Sequence, residues 1–488
     1  MGIKFRSIRS VLTLVVAALG LGGCPYSLSP DWKPGPPLPF CAFGRSYALV
    51  IDPTIPLPTG PDAVAREGDY ILANDQAAYI IEGIGPARTY YYYPGILVDA
   101  LAVENCAYAV PEQFEELGLY VGKLDLNDLP GSGLRGFHGQ SIEVINDGAD
   151  GGAAVVRVHG TDDIFWIAEL ELIRGIYQAG SVKPFSSPFG VDFYVDYILP
   201  PNSPTLRVEL HLANTGATAK SLLTGASAFF GDATDVRYFY NSSGSLIEFP
   251  LFEQVPFIVS SAGNGAWAFA MERASMSVSN IAGIVAFLDS NQFGSPLTLA
   301  PAGQEGDTAH VTYYFSVGKT DHHSAVAPLL AANPSPQAGN TVVLRPVTGR
   351  VFDTDDDSPL SGARVEFQEQ NLDGEWVFYD GFISKPDGTF AGRIPDRGHK
   401  RRVYASLDGR PGYISPTFFL GDTTGISQGE TASVILGNTA DFPIGLGPGG
   451  AIIYDIRDQF DRSLPCKILL WQDGAVVERI YFTSGYGL

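Results

Sequence analysis

The sequence predicts an all-β protein: a large β-sandwich domain, then a small β-sandwich, then an incomplete β module. Three observations carry that expectation. Apolar residues recur at period two, most clearly in Val191-Asp-Phe193-Tyr-Val195-Asp-Tyr197-Ile-Leu199 and again, after a Pro-rich turn, in Leu206-Arg-Val208-Glu-Leu210-His-Leu212. Turn chemistry is explicit in Lys385-Pro-Asp-Gly388-Thr-Phe390, where Pro presets φ and Asp-Gly supplies a positive φ. Helical patterning is scarce: the best candidate, Pro111 to Gly118, has Pro and acids at its start, a closing Gly, and barely two turns. With 488 residues, 56 Gly and 35 Pro, two or three domains are expected, the larger able to bury a proper core.

Residues 1–23 read as a processing signal. Lys4, Arg6 and Arg9 form a basic start, Val11 to Leu19 an apolar run, and Leu21-Gly22-Gly23-Cys24 follows at once. The run is too short for a membrane helix, which needs about 20 apolar residues. The four residues resemble a bacterial lipobox, which implies diacylglyceryl transfer to Cys24, cleavage before it and acylation, with palmitate among the expected chains. Several acyl chains make a stable anchor where one gives only marginal binding. An ordinary secretory signal with a coincidental cysteine is the plainer alternative. The lipobox resemblance implies a membrane-attached lipoprotein of the cell envelope, at the outer membrane.

Residues 24–66 read as a tether, with Pro30, Pro34, Pro36, Pro37 and Pro39 favouring extended backbone. If Cys24 carries lipid, Cys41, Cys106 and Cys466 remain. Cys41 and Cys106 are the natural disulfide pair, since a bridge would pin the Pro-rich segment to the large domain and constrain the unfolded chain. Cys466 then stays free and buried.

The large domain is placed at 67–325. Val191, Phe193, Val195, Tyr197 and Leu199 share one face and meet Leu206, Val208, Leu210 and Leu212 across the turn, so Arg207, Glu209 and His211 point the other way. If that outer face is covered, its carboxylate and imidazole suit acid–base work; a row of surface ion pairs is the plainer reading. Within Tyr90 to Tyr93, Tyr90 and Tyr92 are candidates for stacking on sugar rings, against core packing of alternate tyrosines. Residues 326–341 read as a linker, and Asp321-His322-His323 before it as a solvated strand end, because neighbouring strand residues face opposite ways.

Residues 342–437 carry Val-x-Gly349-x-Val, Pro359-Leu-x-Gly362-Ala-x-Val and Asp387-Gly388-x-Phe390. This succession resembles the carboxypeptidase regulatory-like domain, a transthyretin-like β-sandwich, which implies a non-catalytic part that packs against or presents other modules. Asp353, Asp355 and Asp357 alternate like the oxygens of a calcium loop but lack the glycine and distal glutamate of an EF-hand, so they are weighed as calcium ligands against a plain acidic turn. Residues 438–488 read as the incomplete module.

In the large domain, Asp69 to Asp75, Pro94 to Ala100, and Leu212-Ala-Asn214-Thr-Gly216 resemble the β-rich amino-terminal region of bacterial metallohydrolases with a polymerase-and-histidinol-phosphatase (PHP) catalytic domain. That resemblance would imply a metal cluster bound through an early H-x-H. His138, His159, His211, His310, His322, His323 and His399 contain no pair two apart, so no metal ligand transfers. H-E-x-x-H, G-x-S-x-G and P-loop patterns are absent as well.

Lys+Arg total 31 against Asp+Glu 53, a formal charge of −22; removing the three basic residues before Cys24 takes −22 to −25. Nucleic acid is therefore not an expected partner, since phosphate binding needs a basic face. The expected function is a non-catalytic, lipid-anchored envelope protein presenting a surface to a glycan or a protein. Two alternatives stand beside it: the accessory front of a truncated or split PHP-type hydrolase, and a carbohydrate-processing β-sandwich.

Overall fold

A computed structural model describes residues 34–89, 91, 93–112, 114–123, 133–164, 188–229, 236–240, 246–247, 251–255, 257–262, 265–272, 276–281, 285–289, 297–319, 321–333, 343–370, 374, 376–396, 400–407, 410, 412–415, 417–419, 434–436, 439–446, 467–472 and 475–481. Among these the chain is all-β apart from one helix, His322–Ala332. Cys24, Cys466, Tyr90 and Tyr92 lie outside the described residues. Within the described residues no helix is long and apolar enough to cross a membrane.

The large domain is a sandwich of two antiparallel sheets. One runs, neighbour by neighbour, through Tyr47–Val50, Tyr70–Ala73, Ala77–Ile81, Leu97–Glu104, Glu116–Lys123, Lys220–Phe229, Val285–Asp289, Met276–Ile281 and Leu251–Val255. The other runs through Gly133–Asn146, Ala154–Ile164, Val191–Leu199, Thr205–Asn214, Thr308–Gly318, Gly265–Met271, Ile258–Ala262 and Val236–Tyr240. They join at a corner where Tyr120 to Lys123 pair with Gly136 to Gly133. Period-two patterning decides which side chains enter between them: Val191, Phe193, Val195 and Tyr197 meet Leu206, Val208, Leu210 and Leu212 there, together with Leu72, Tyr79 and Leu97 of the facing sheet. Two aromatic core residues bond to backbone across the gap. Trp267 Nε1 donates to the Ala100 carbonyl at 2.8 Å, and the Tyr197 hydroxyl to that of Gly95 at 3.1 Å.

Both outer faces are partly covered. Leu38, Ile51 and Ile55 pack on Ile71, Ile80, Val98 and Leu101, so the segment expected to be a tether to residue 66 is folded onto the domain from Leu38 onward. Its strand Tyr47–Val50 pairs with Tyr70–Ala73, and a Cys41–Cys106 disulfide holds it, with Cα atoms 5.5 Å apart. Pro111 to Gly118 does not form the expected helix. Phe114 and Leu117 are core residues, and Glu116–Lys123 is a strand because Leu117, Leu119 and Val121 alternate inward.

The helix takes up the first part of the expected linker, to Ala332; residues 334–341 lie outside the described residues. Asp321, with extended backbone, caps the helix by accepting from Ser324 N. Ala325, Val326 and Leu329 pack on Phe257, Val259, Ala266, Ala268 and Ala270, on the outer side of the second sheet. Beyond it lies the small sandwich. One sheet orders Thr389–Asp396, Val343–Asp353, Thr439–Leu446 and Val434–Leu436; the other orders Trp376–Ile383, Arg364–Gln370, Lys400–Ser406 and Tyr413–Ile414. Val347, Val351, Val365, Phe367, Phe382, Phe390 and Val403 fill the space between. Thr439–Leu446 pairs in parallel with Val343–Asp353, so the small domain reaches past residue 437.

Candidate functional site

The outer face of the second sheet brings together residues that the sequence scatters over four strands. Antiparallel register sets His159 opposite Tyr194, Tyr194 opposite His211, and His211 opposite His310. The neighbouring row runs Arg157, Asp196, Glu209, Thr312. Directly opposed side chains in such ladders touch. Tyr194 and His211 stack with ring centroids 4.3 Å apart, His211 and His310 at 5.7 Å, and the Arg157 guanidinium lies 4.2 Å from the Tyr194 ring centre.

His211 is the hub. Its Nε2 lies 3.3 Å from Glu209 Oε2 and 3.9 Å from Asp196 Oδ2. Arg157 grips Asp196 with two hydrogen bonds, Nε to Oδ1 at 2.6 Å and Nη2 to Oδ2 at 2.7 Å, and Arg207 Nε lies 3.1 Å from Glu209 Oε1. The bond to Asp196 raises the Arg157 pKa further. His211 is 26% exposed and Arg157 28%, so ligand can reach both, whereas Asp196 is 8% exposed. Arg207, Glu209 and His211 thus sit on the outer face their spacing placed them on. Asp196 was missed, although its place in the alternation of 191–199 put it on that face.

A second cluster lies where the helix meets the small sandwich. His322 Nε2 and His323 Nε2 stand 2.8 Å and 3.1 Å from one atom, Asp380 Oδ1, which also accepts from Gly381 N at 2.8 Å. All three side chains are buried. The expectation of a solvated strand end is therefore corrected: in a helix, consecutive residues turn by about 100° rather than 180°, so His322 and His323 can share a partner. Burial presses both imidazoles toward the neutral form. It wins at His322, whose pKa is lowered, while the Asp380 charge and hydrogen bond outweigh it at His323, whose pKa is raised. Asp380 is itself buried, yet the two imidazoles hold its pKa far below the usual carboxylate range.

The acidic loop is built differently. Asp353 accepts from Asp355 N and pairs with Arg410 at 2.6 Å, while Asp357, at φ 60°, lies 3.4 Å from Arg350. Asp355 is exposed there. Among the described residues, ligand atoms of three or more His, Cys, Asp or Glu side chains come within 4.8 Å of one another in two groups: Asp196–Glu209–His211 and His322–His323–Asp380.

No family model matches the chain, and no curated protein does. Among solved structures it is similar to a TPR-domain containing protein from Parabacteroides distasonis, at 13% identity and a TM-score of 0.31, over 57% of this chain and 55% of that one. It is also similar to the GH36 α-galactosidase AgaA from Geobacillus stearothermophilus, at 12% identity and 0.28, over 54% and 41%, and to the Slr1438 protein from Synechocystis, at 12% and 0.30, over 53% and 97%. The chain thus spans about half the length of the first two. At these scores the likenesses carry no argument about what the chain does.

Proposed function

We propose that this chain is a lipid-anchored envelope protein that binds a polyhydroxylated ligand, a glycan, on the outer face of its second sheet. The observation that carries the reading is the neutralised polar row Arg157–Asp196–His211–Glu209–Arg207 beside the stacked Tyr194 ring. Two guanidinium–carboxylate pairs leave donor and acceptor edges side by side without a net charge, a pattern suited to vicinal hydroxyls. A simple anion or cation would have to break one of those pairs. The lipobox-like Leu21-Gly22-Gly23-Cys24 supports the anchor.

Direct hydrolysis of the ligand is less well supported. Asp196 and Glu209 are cross-strand neighbours on one sheet face, each already paired with an arginine, whereas glycoside hydrolysis of the usual kind sets its two carboxyl groups on either side of the bond. The test is a glycan panel followed by calorimetry on the full chain in detergent. Arg157→Ala and Tyr194→Ala are each expected to weaken the best ligand about tenfold or more, the size of a lost charge-assisted contact. Absence of any glycan ligand, or binding that ignores both substitutions, sinks the proposal. For the anchor, Cys24→Ser is expected to move the chain from the detergent phase to the aqueous phase on phase separation.

A further inference from the structure

We propose that the seam between the two sandwiches is a binding site for a divalent transition metal, zinc by its donor chemistry, held by His322 Nε2, His323 Nε2 and Asp380 Oδ1. The three ligand atoms already lie within 4.8 Å of one another, with both imidazole nitrogens aimed at the same carboxylate oxygen. Two imidazoles and a carboxylate form a donor set that zinc takes readily, leaving a further position for a fourth ligand.

The surroundings are those of a built site. Metal-binding side chains are usually fixed by a second layer of contacts. Here Gly381 N donates to Asp380 Oδ1, and Phe382 stacks on the His323 ring at 4.1 Å and 14°. Asp321, next in sequence to His322, accepts from Ser324 N at 3.2 Å and from Ile383 N at 2.9 Å. It is 8% exposed. With Asp380 it brings two carboxylates into a buried region, a setting that a divalent ion suits. Gly392 allows the close approach: a Cβ there would stand 2.6 Å from His323 Cγ. The outer-face group offers a poorer site, since Arg157 and Arg207 already occupy its carboxylates.

Such an ion would clamp the helix of the large domain to the Trp376–Ile383 strand of the small one. To test it, the full chain is purified in detergent without chelator, its metal content measured, and its melting followed after chelation and zinc return. The expectation is about one zinc per chain and a melting point about 5 °C or more higher with zinc at a hundred times its dissociation constant. His323→Ala and Asp380→Asn should reduce the bound zinc to below about a tenth per chain under the same dialysis. If these variants do not fold, cobalt added to the native chain decides: visible bands of a four-coordinate ion support the site, and their absence overturns it. A native chain that retains no zinc and melts unchanged overturns it too, as does zinc that survives both substitutions but is lost with His211→Ala.

Discussion

At the scale of single residues, several carboxyl groups of the large domain are buried close together. Arg88 meets Asp69 Oδ1 at 2.6 Å and Glu82 Oε1 at 2.9 Å, yet Asp99, Glu112 and Glu116 are buried nearby as well. Burial raises the pKa of Glu82, Asp99, Glu112 and Glu116, and Asp99 and Asp62 repel Glu112 further. An acid whose folded pKa is raised contributes stability that is present below its unfolded value, about 4, and is lost as pH rises through the folded value. Thermal or urea unfolding should therefore show these groups favouring pH 5 over pH 8, with a flatter slope in Glu112→Gln by at least about 1 kcal/mol, the scale of one pKa unit. An unchanged slope would mean Glu112 titrates alike in both states. None of this was legible in the sequence. Glu112 and Glu116 looked like acids at a helix start; Glu112 is instead buried in the loop before the strand, and Glu116 opens the strand Glu116–Lys123 on the face opposite Leu117, where it too is covered. The outer-face site was half legible: alternation alone set Arg207, Glu209 and His211 outward, but the partnership with Asp196 and Arg157 depends on register, which one strand's residues do not contain.

Among the elements, strands announced themselves and the helix did not. Val191–Leu199 and Thr205–Asn214 pair as their alternation predicts, and the expected turn closes with Gly388 N donating to the Lys385 carbonyl at φ 75°. His322–Ala332 is apolar on most sides and carries Pro328 in its interior, which argues against a helix from sequence alone. The available signal was Asp321 as a cap. Its seat depends on Gly318, where a Cβ would meet Ser324 Oγ and stand 2.6 Å from the Ala325 backbone nitrogen. Gly318→Ala is accordingly expected to cost about 1–3 kcal/mol by urea denaturation, the usual range for overpacking; a neutral result would show that the helix shifts freely. The disulfide works at the same scale. It closes a separation of 65 residues, so a Cys41→Ser, Cys106→Ser chain should lose about 2–4 kcal/mol, and the folded edge at Leu38 to Ile55 should become the first part cut by protease.

For the whole molecule, the helix contacts both sandwiches. Its apolar side belongs to the large domain through Ala325, Val326 and Leu329, while its first turn belongs to the small one through His322, His323 and Asp380. The expected boundary after residue 325 falls inside this helix, because the contacts that join the two sandwiches come from residues 57 apart in sequence, His323 and Asp380. Neither half can open without exposing either an apolar patch or a buried carboxylate facing two imidazoles. Breaking one partner of a buried charged cluster costs about 3–5 kcal/mol, enough to decouple domains whose own stability is about 5–15 kcal/mol. Calorimetry of the native chain should therefore show the two sandwiches melting in a single transition, and Asp380→Ala should split it, the small sandwich melting first. Two transitions already present in the native chain would mean that the helix belongs to the large domain alone and that the seam transmits nothing.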